Sequence, residues 1–198
     1  RSEGMDKIDF LMVGVGGQGI ILASDVVAQT GLALGYDVKK SEIHGMSQRG
    51  GSVESHVRWG QRVRSPLAPM GQVDYLVAFE VLEGARWAGY LRPGGVAVLN
   101  MQRILPLAVA GGTMSYPADQ EVVGLLSQRG VSVEQVDGMG IAKELGNTAV
   151  ASVVVLGALS RHLPFEPGAW LEAIKGRVPA RYRQLNEKAF WAGREAQR

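Results

Sequence analysis

Ile8-Asp9-Phe10-Leu11-Met12-Val13-Gly14-Val15-Gly16-Gly17-Gln18-Gly19-Ile20 is the stretch that decides the fold. Its first half is almost wholly apolar and stops at glycine, the pattern of a strand buried on both faces. From Ile20 onward, Ala23, Ser24, Val27, Ala28, Gly31 and Leu32 recur at helical spacing, and Gly35 ends the run. Residues 36–40 read as a second, shorter strand, which completes a βαβ unit of ordinary length. Gly14, Gly16 and Gly19 satisfy G-x-G-x-x-G at the strand-to-helix junction. Backbone N–H groups converge there on a helix N-terminus and can receive a phosphate or a carboxylate.

The neighbouring polar run, Ser41-Glu42-Ile43-His44-Gly45-Met46-Ser47-Gln48-Arg49-Gly50-Gly51-Ser52, lies between two strand candidates. Its composition suits a ligand-facing loop better than a core. Arg49, between Gln48 and two glycines, can present a planar fork to an anion; the plainer reading is a surface arginine pinning a loop. His44 sits in the same run and reads equally as a ligand contact or a structural residue. His56 alternates onto the polar face of strand 53–59 and reads as a hydrogen-bonded structural histidine. Neither histidine has a second histidine or paired carboxylate at ligand spacing, so no metal is expected.

A dinucleotide fingerprint wants an acid at the end of its second strand. This chain has Lys39 and Lys40 there, with Glu42 slightly late, which favours a phosphate over a bare ribose diol. Several readings follow. The loop cradles the phosphate or carboxylate of a ligand, or serves a free-standing NADP-type dehydrogenase through Lys39 or Lys40, or merely tightens a turn in a plain binding module. Arg92-Pro93-Gly94-Gly95 before an apolar strand also occurs in adenosylmethionine-dependent methyltransferases, but their second strand closes on an acid. Such a turn more often punctuates helix and strand.

Further strands are expected at 75–79, 96–100 and 131–136, and helices at 82–90, 119–129, 141–145, 169–175 and 180–195. Residues 106–112 are undecided, and 114–116 are a strand candidate. Asn147 or Thr148 caps a nearly all-apolar helix that runs to Leu159 and must be buried. The alternation makes a three-layer α/β/α Rossmann-like domain with a mostly parallel sheet and C-terminal helices, occupying 5–198 as one domain. Arg1 to Gly4, ahead of Met5, read as an expression remnant. Asn100, closing a strand, and Asn147, opening a helix, stand where open α/β sheets place ligands; Asn147 is equally explained as a cap.

Hydrophobic residues make up 46% of the 198 and charged residues 20%, which excludes disordered and fibrous classes. A net charge of +2 is too small to argue for nucleic acid, although a pI near 9.0 permits a local basic patch. The absence of cysteine rules out disulfides, cysteine nucleophiles and thiolate-held clusters within this sequence. No apolar run reaches the ~20 residues of a membrane span, and no signal pattern opens the chain, so a cytoplasmic protein without a membrane partner is expected.

With these motifs assembled, the chain resembles the gamma-subunit family of 2-oxoacid:ferredoxin oxidoreductases, and within it the beta subunit of the indolepyruvate enzymes. The resemblance runs from about Asp6 to about Arg194. It rests on the glycine loop, on Ser41 through Val53, and on Asn186, Ala189-Phe190 and Gly193-Arg194-Glu195. His44-Gly45-Met46 stands where the pyruvate and 2-oxoglutarate gamma subunits usually carry tyrosine-glycine-proline. The resemblance implies a subunit that is inactive alone and caps the active site of a large partner subunit. That partner holds thiamine diphosphate, Mg and iron-sulfur clusters. The complex decarboxylates an aryl-2-oxoacid oxidatively, with ferredoxin as acceptor and coenzyme A as co-substrate. Carried over, Gly14, Gly16, Gly17, Gln18 and Gly19 would receive coenzyme phosphate, Lys40 and Arg49 would neutralise it, and Asn100 and Asn147 would hydrogen-bond the coenzyme. His44, Gln48 and Arg49 would support catalysis in the partner. An obligate subunit should also expose an apolar patch, for which Trp59, Trp87, Trp170 and Trp191 are candidates.

Overall fold

A computed structural model describes residues 7–44 and 51–196. Strand β1 (Lys7–Val15) is buried from Ile8 onward, as its mostly apolar sequence suggests, and helix α1 (Ile20–Ala33) follows after the glycine turn. Strands β2 (Asp37–His44) and β3 (Ser52–Gly60) form an antiparallel pair, and β3 also pairs antiparallel with β1. Strands β4 (Val73–Ala78), β5 (Leu91–Asn100) and β6 (Ser132–Val136) extend the other side in parallel. The sheet order is β2-β3-β1-β4-β5-β6, with β3 alone running against the rest. The mostly parallel α/β sheet is therefore present.

Four local expectations need correction. Residues 36–40 do not complete a simple βαβ unit, because β3 inserts between β1 and β2. Strand β3 is consequently interior, and Val53, Val57 and Trp59 are all buried. The polar run is shorter than it reads, since 41–44 continue β2 and Ser52 already opens β3. Arg92-Pro93-Gly94-Gly95 lies inside β5: Val73 pairs with Leu91 and Tyr75 with Val96, so the extra residues bulge outward. Residues 114–116 form no strand.

Two helical layers cover the sheet. Helices α2 (Val81–Trp87) and α4 (Asp119–Ser127) pack on one face against Leu11, Val13, Leu76 and Leu99; a short α3 (Leu107–Ala110) precedes α4. The other face carries α1, α5 (Gly138–Glu144), α6 (Ala151–Ser160), α7 (Pro167–Arg177) and α8 (Arg183–Glu195) over Ile8, Phe10, Met12 and Trp59. Every residue of α6 is buried, the outcome expected for a helix apolar all round. Helix α8 is amphipathic and seals α6 with Ala189, Phe190 and Gly193. A Cβ on Gly193 would collide with the Val154 backbone of α6, and one on Gly157 with the Phe190 backbone of α8. The two axes approach at glycine on both sides.

Candidate functional site

Helix α1 leaves β1 toward one face of the sheet and α2 leaves β4 toward the other, so chain direction switches between these adjacent parallel strands. In open α/β sheets such a point leaves a crevice at the carboxyl ends of the strands. A cleft of about 340 Å³ lies there, lined by Gly16, Gly17, Gln18, Gly19, Asn100 and, at the opening of α6, Ser152. Phe79, Gln102, Ile104, Met139, Thr148, Ala149 and Ala151 complete the wall. Among the described lining residues there is neither a lysine, an arginine nor a carboxylate.

The glycine turn is built so that its backbone can face a ligand. Gly17 and Gly19 have φ of 99° and 80°, the left-handed region that side chains disfavour. Gly17 has open space where a Cβ would stand, whereas a Cβ on Gly19 would lie 2.7 Å from Ser152 Oγ. Not every amide is free: Gly16 N–H donates to Gly51 O at 3.0 Å and Gln18 N–H to Val15 O at 3.2 Å. Gly19 caps α1 without a side-chain hydrogen bond among the described residues, and N–H groups of a first helical turn so placed can receive an anion. Gly14 is a packing residue, since a Cβ there would press on Gln18, Ile20 and Phe79.

Gln18 and Asn100 act as braces. Gln18 Oε1 accepts from Val15 N–H at 2.8 Å, while its Nε2 donates to Phe79 O at 2.7 Å and to Gln102 Oε1 at 2.9 Å. The side chain thus ties the ends of β1, β4 and β5 together under the loop. Asn100 is buried; its Nδ2 donates to Phe79 O at 2.9 Å and its Oδ1 accepts from Gly138 N–H at 3.0 Å, which anchors the start of α5. Asn147 caps the turn before α6 by accepting from Ala149 N–H at 2.9 Å.

The structure does not bring Lys40 to this cleft. On β2 its ammonium pairs with Asp25 of α1 and with Glu42, and Asp25 also meets Arg177 of α7 at 3.4 Å. Lys39 pairs with Asp37 at 3.1 Å. Gln48 and Arg49 lie outside the described residues, as does the His44 side chain. His56 is hydrogen-bonded as the sequence suggests, with Nδ1 accepting from Ala68 N–H at 3.2 Å and its ring against Tyr90, but it is buried rather than set on a polar face. Burial is the first cause that lowers its pKa, reinforced by Arg58, so the imidazole is held neutral. Trp59 and Trp170 are core residues with fully buried rings 6.4 Å apart, which leaves Trp87 half-buried and Trp191 at the surface.

Sequence reasoning missed Phe79, Gln102 and Ser152. Phe79 and Gln102 follow the ends of β4 and β5, a position that the carboxyl-edge rule would have flagged. Ser152 left no such signal, because its closeness to Gly19 is a contact across 133 positions of sequence.

On the α2 side of the same edge, Glu83 is buried and accepts from Ser52 Oγ at 2.6 Å and from Trp87 Nε1 at 3.3 Å. Glu54 of β3 has one carboxyl oxygen enclosed without a hydrogen-bond partner. Its pKa is raised, first by burial and then by Glu83. Tyr116 hydrogen-bonds the buried Glu80, and burial raises the phenol. Among the described residues no group of three or more His, Cys, Asp or Glu could hold a metal ion, and no helix is long and apolar enough to cross a membrane.

Comparison with known proteins agrees with this architecture. An indolepyruvate oxidoreductase subunit of Archaeoglobus fulgidus is 38% identical over 189 residues, 94% of each chain. The gamma subunit of a keto/oxoacid ferredoxin oxidoreductase from Geobacter sulfurreducens superposes with a TM-score of 0.69 at 24% identity, covering 94% of this chain and 95% of that one. A 2-oxoglutarate:ferredoxin oxidoreductase of Magnetococcus marinus, solved with 2-oxoglutarate, coenzyme A and succinyl-CoA, gives 0.72 at 20% identity over 96% of this chain and 31% of that one. A family match covers residues 9–196, and on that extent the chain belongs to the pyruvate ferredoxin/flavodoxin oxidoreductase family.

Proposed function

We propose that this chain is the non-thiamine, cluster-free subunit of an indolepyruvate-type 2-oxoacid:ferredoxin oxidoreductase. Its carboxyl sheet edge covers the thiamine diphosphate site of a large partner subunit, and its glycine cleft receives a phosphate of coenzyme A. The observation that carries the reading is the cleft itself, with left-handed glycines and an uncapped helix N-terminus facing a pocket whose described lining bears no charged side chain. Backbone amides and the α1 dipole supply the positive potential, and the absence of a carboxylate in the lining avoids repulsion. The names of the relatives support the substrate class, and the coenzyme A in the Magnetococcus neighbour supports the ligand.

The chain contributes binding and exclusion rather than bond-making. Thiamine diphosphate in the partner supplies the decarboxylation, and its clusters carry electrons to ferredoxin. This chain orients the acyl acceptor and keeps water from the reacting carbonyl. Gln18 and Asn100 act as positioning residues by holding three strand ends in register beneath the loop. The NADP-dehydrogenase alternative loses its support, because the lysines it would use are ion-paired away from the cleft.

The deciding experiment is co-expression with the large subunit, then dye or ferredoxin reduction with indolepyruvate and coenzyme A. Turnover by the complex alone is expected. NADP-dependent turnover by the isolated chain would defeat the reading.

A further inference from the structure

The opposite edge of the sheet holds a second cleft, of about 580 Å³, with a different chemistry. It is lined by Lys7, Arg58, Arg62, Val63, Arg64 and Ser65, together with Gly60 and Gln61. We propose that this cleft docks an acidic segment of the large partner subunit; the assignment rests on the subunit reading above.

The charges at this edge do not cancel. Among the described residues, Lys7, Lys39, Arg58, Arg62, Arg64 and Arg92 stand with three carboxylates, Asp9, Asp37 and Asp74, an excess of three. All three carboxylates are already engaged. Asp9 takes Lys7 at 2.8 Å and Arg58 at 2.8 Å, Asp37 takes Lys39, and Asp74 takes Arg92 at 2.6 Å. Arg62 and Arg64 are exposed, and neither has an ion pair or hydrogen bond among the described residues; Arg62 acts on Asp37 only through space.

A charge run on a loop is usually a solvated face, but this one is held in place. Val63 is buried between the two arginines, and its N–H donates to Asp37 Oδ2 at 2.7 Å. Arg58 Nη1 donates to Ser65 O at 3.1 Å and to Leu67 O at 3.0 Å, pinning the far end. Two guanidinium forks therefore stand ready on an anchored backbone, the geometry suited to carboxylates. Leu67 and Met70, on the same connection, are 46% and 69% exposed. Arginine and methionine beside exposed leucine fit a protein surface better than a small free anion, which would engage one fork and leave the apolar side chains wet.

The test is titration calorimetry of the purified large subunit with the wild-type chain and with R62E/R64E, at low and at moderate salt. Circular dichroism and an R62Q/R64Q chain serve as folding controls. Expected is a roughly 10- to 100-fold weaker association of the reversed chain at low salt, shrinking as salt rises, with the glutamine variant between. Equal binding by wild-type and variants would overturn the docking assignment and leave the subunit reading standing. Failure of the wild-type chain to bind would overturn both. Normal assembly with a raised KM for ferredoxin would give the cleft to the acceptor and also overturn the proposal.

Discussion

In the roles proposed for them, the two edges of one sheet offer opposite ways to hold an anion. At the carboxyl edge the described cleft lining has no charged side chain, and positive potential comes from backbone N–H groups fixed by the glycine turn and α1. At the amino edge four cationic side chains line the cleft, and Arg62 and Arg64 have no ion pair among the described residues. Backbone dipoles act within about one helical turn and are rigid, so they favour one small group in one place. Exposed arginines act over about a Debye length, ~8–10 Å at ordinary salt, and suit encounter with a broader surface. The difference predicts separate sensitivities to packing, salt and mutation.

The largest effect should come from the scaffold under the carboxyl cleft. G193A forces a methyl group into the Val154 backbone, so α6, whose first turn walls the cleft, must move. A loss of about 3 kcal/mol or more, roughly 6–12 °C in Tm, is expected by thermal denaturation. R62E/R64E should change Tm by less than about 4 °C, because each surface position costs about 0.5 kcal/mol or less. If both variants were equally unstable, the two edges would not be energetically separate.

Next in size is the ligand loop. G19A places a side chain in the left-handed region against Ser152 and should lower coenzyme A affinity of the complex by about tenfold or more while costing about 1–3 kcal/mol. Q18A removes the brace across three strand ends and should cost about 1–3 kcal/mol, by denaturant titration, with a raised KM for coenzyme A. Retention of wild-type coenzyme binding in both would break the assignment of the cleft.

Salt sharpens the contrast further. Raising ionic strength should weaken partner association more than coenzyme binding within the assembled complex, because the loop amides are fixed dipoles at contact distance. Calorimetry of each step tests this, and a reversed order would exchange the roles of the two clefts.

The smallest effect expected concerns Glu54. Its folded pKa lies above its unfolded value, so the protonated form is favoured on folding. The associated stability is complete below the unfolded pKa near 4.5 and is lost as pH rises through the folded value. E54Q should therefore raise Tm by about 1–2 °C at neutral pH and by less near pH 4. Glu134 has the opposite sign. Burial alone would raise it, but hydrogen bonds from His162 and Arg161 outweigh that and leave its pKa lowered, so its contribution is lost as pH falls.

By itself the sequence determined β1, the glycine turn, α1, the buried α6, the polar-faced α8 and the family. All of these are written in short-range periodicity, in glycine placement and in motif spacing. Only the tertiary structure decided that β3 separates β2 from β1, since a strand's own residues carry alternation but not the identity of its neighbour. It also showed Gln18 and Asn100, both in the cleft wall, bracing the strand ends, and drew Lys40 to Asp25, because hydrogen-bond and ion-pair partners are chosen across distant parts of the sequence. The amino-edge cleft was equally hidden. Its cations are scattered from Lys7 to Arg64, and only the folded sheet gathers them, with Asp9, Asp37 and Asp74 at the same edge already paired.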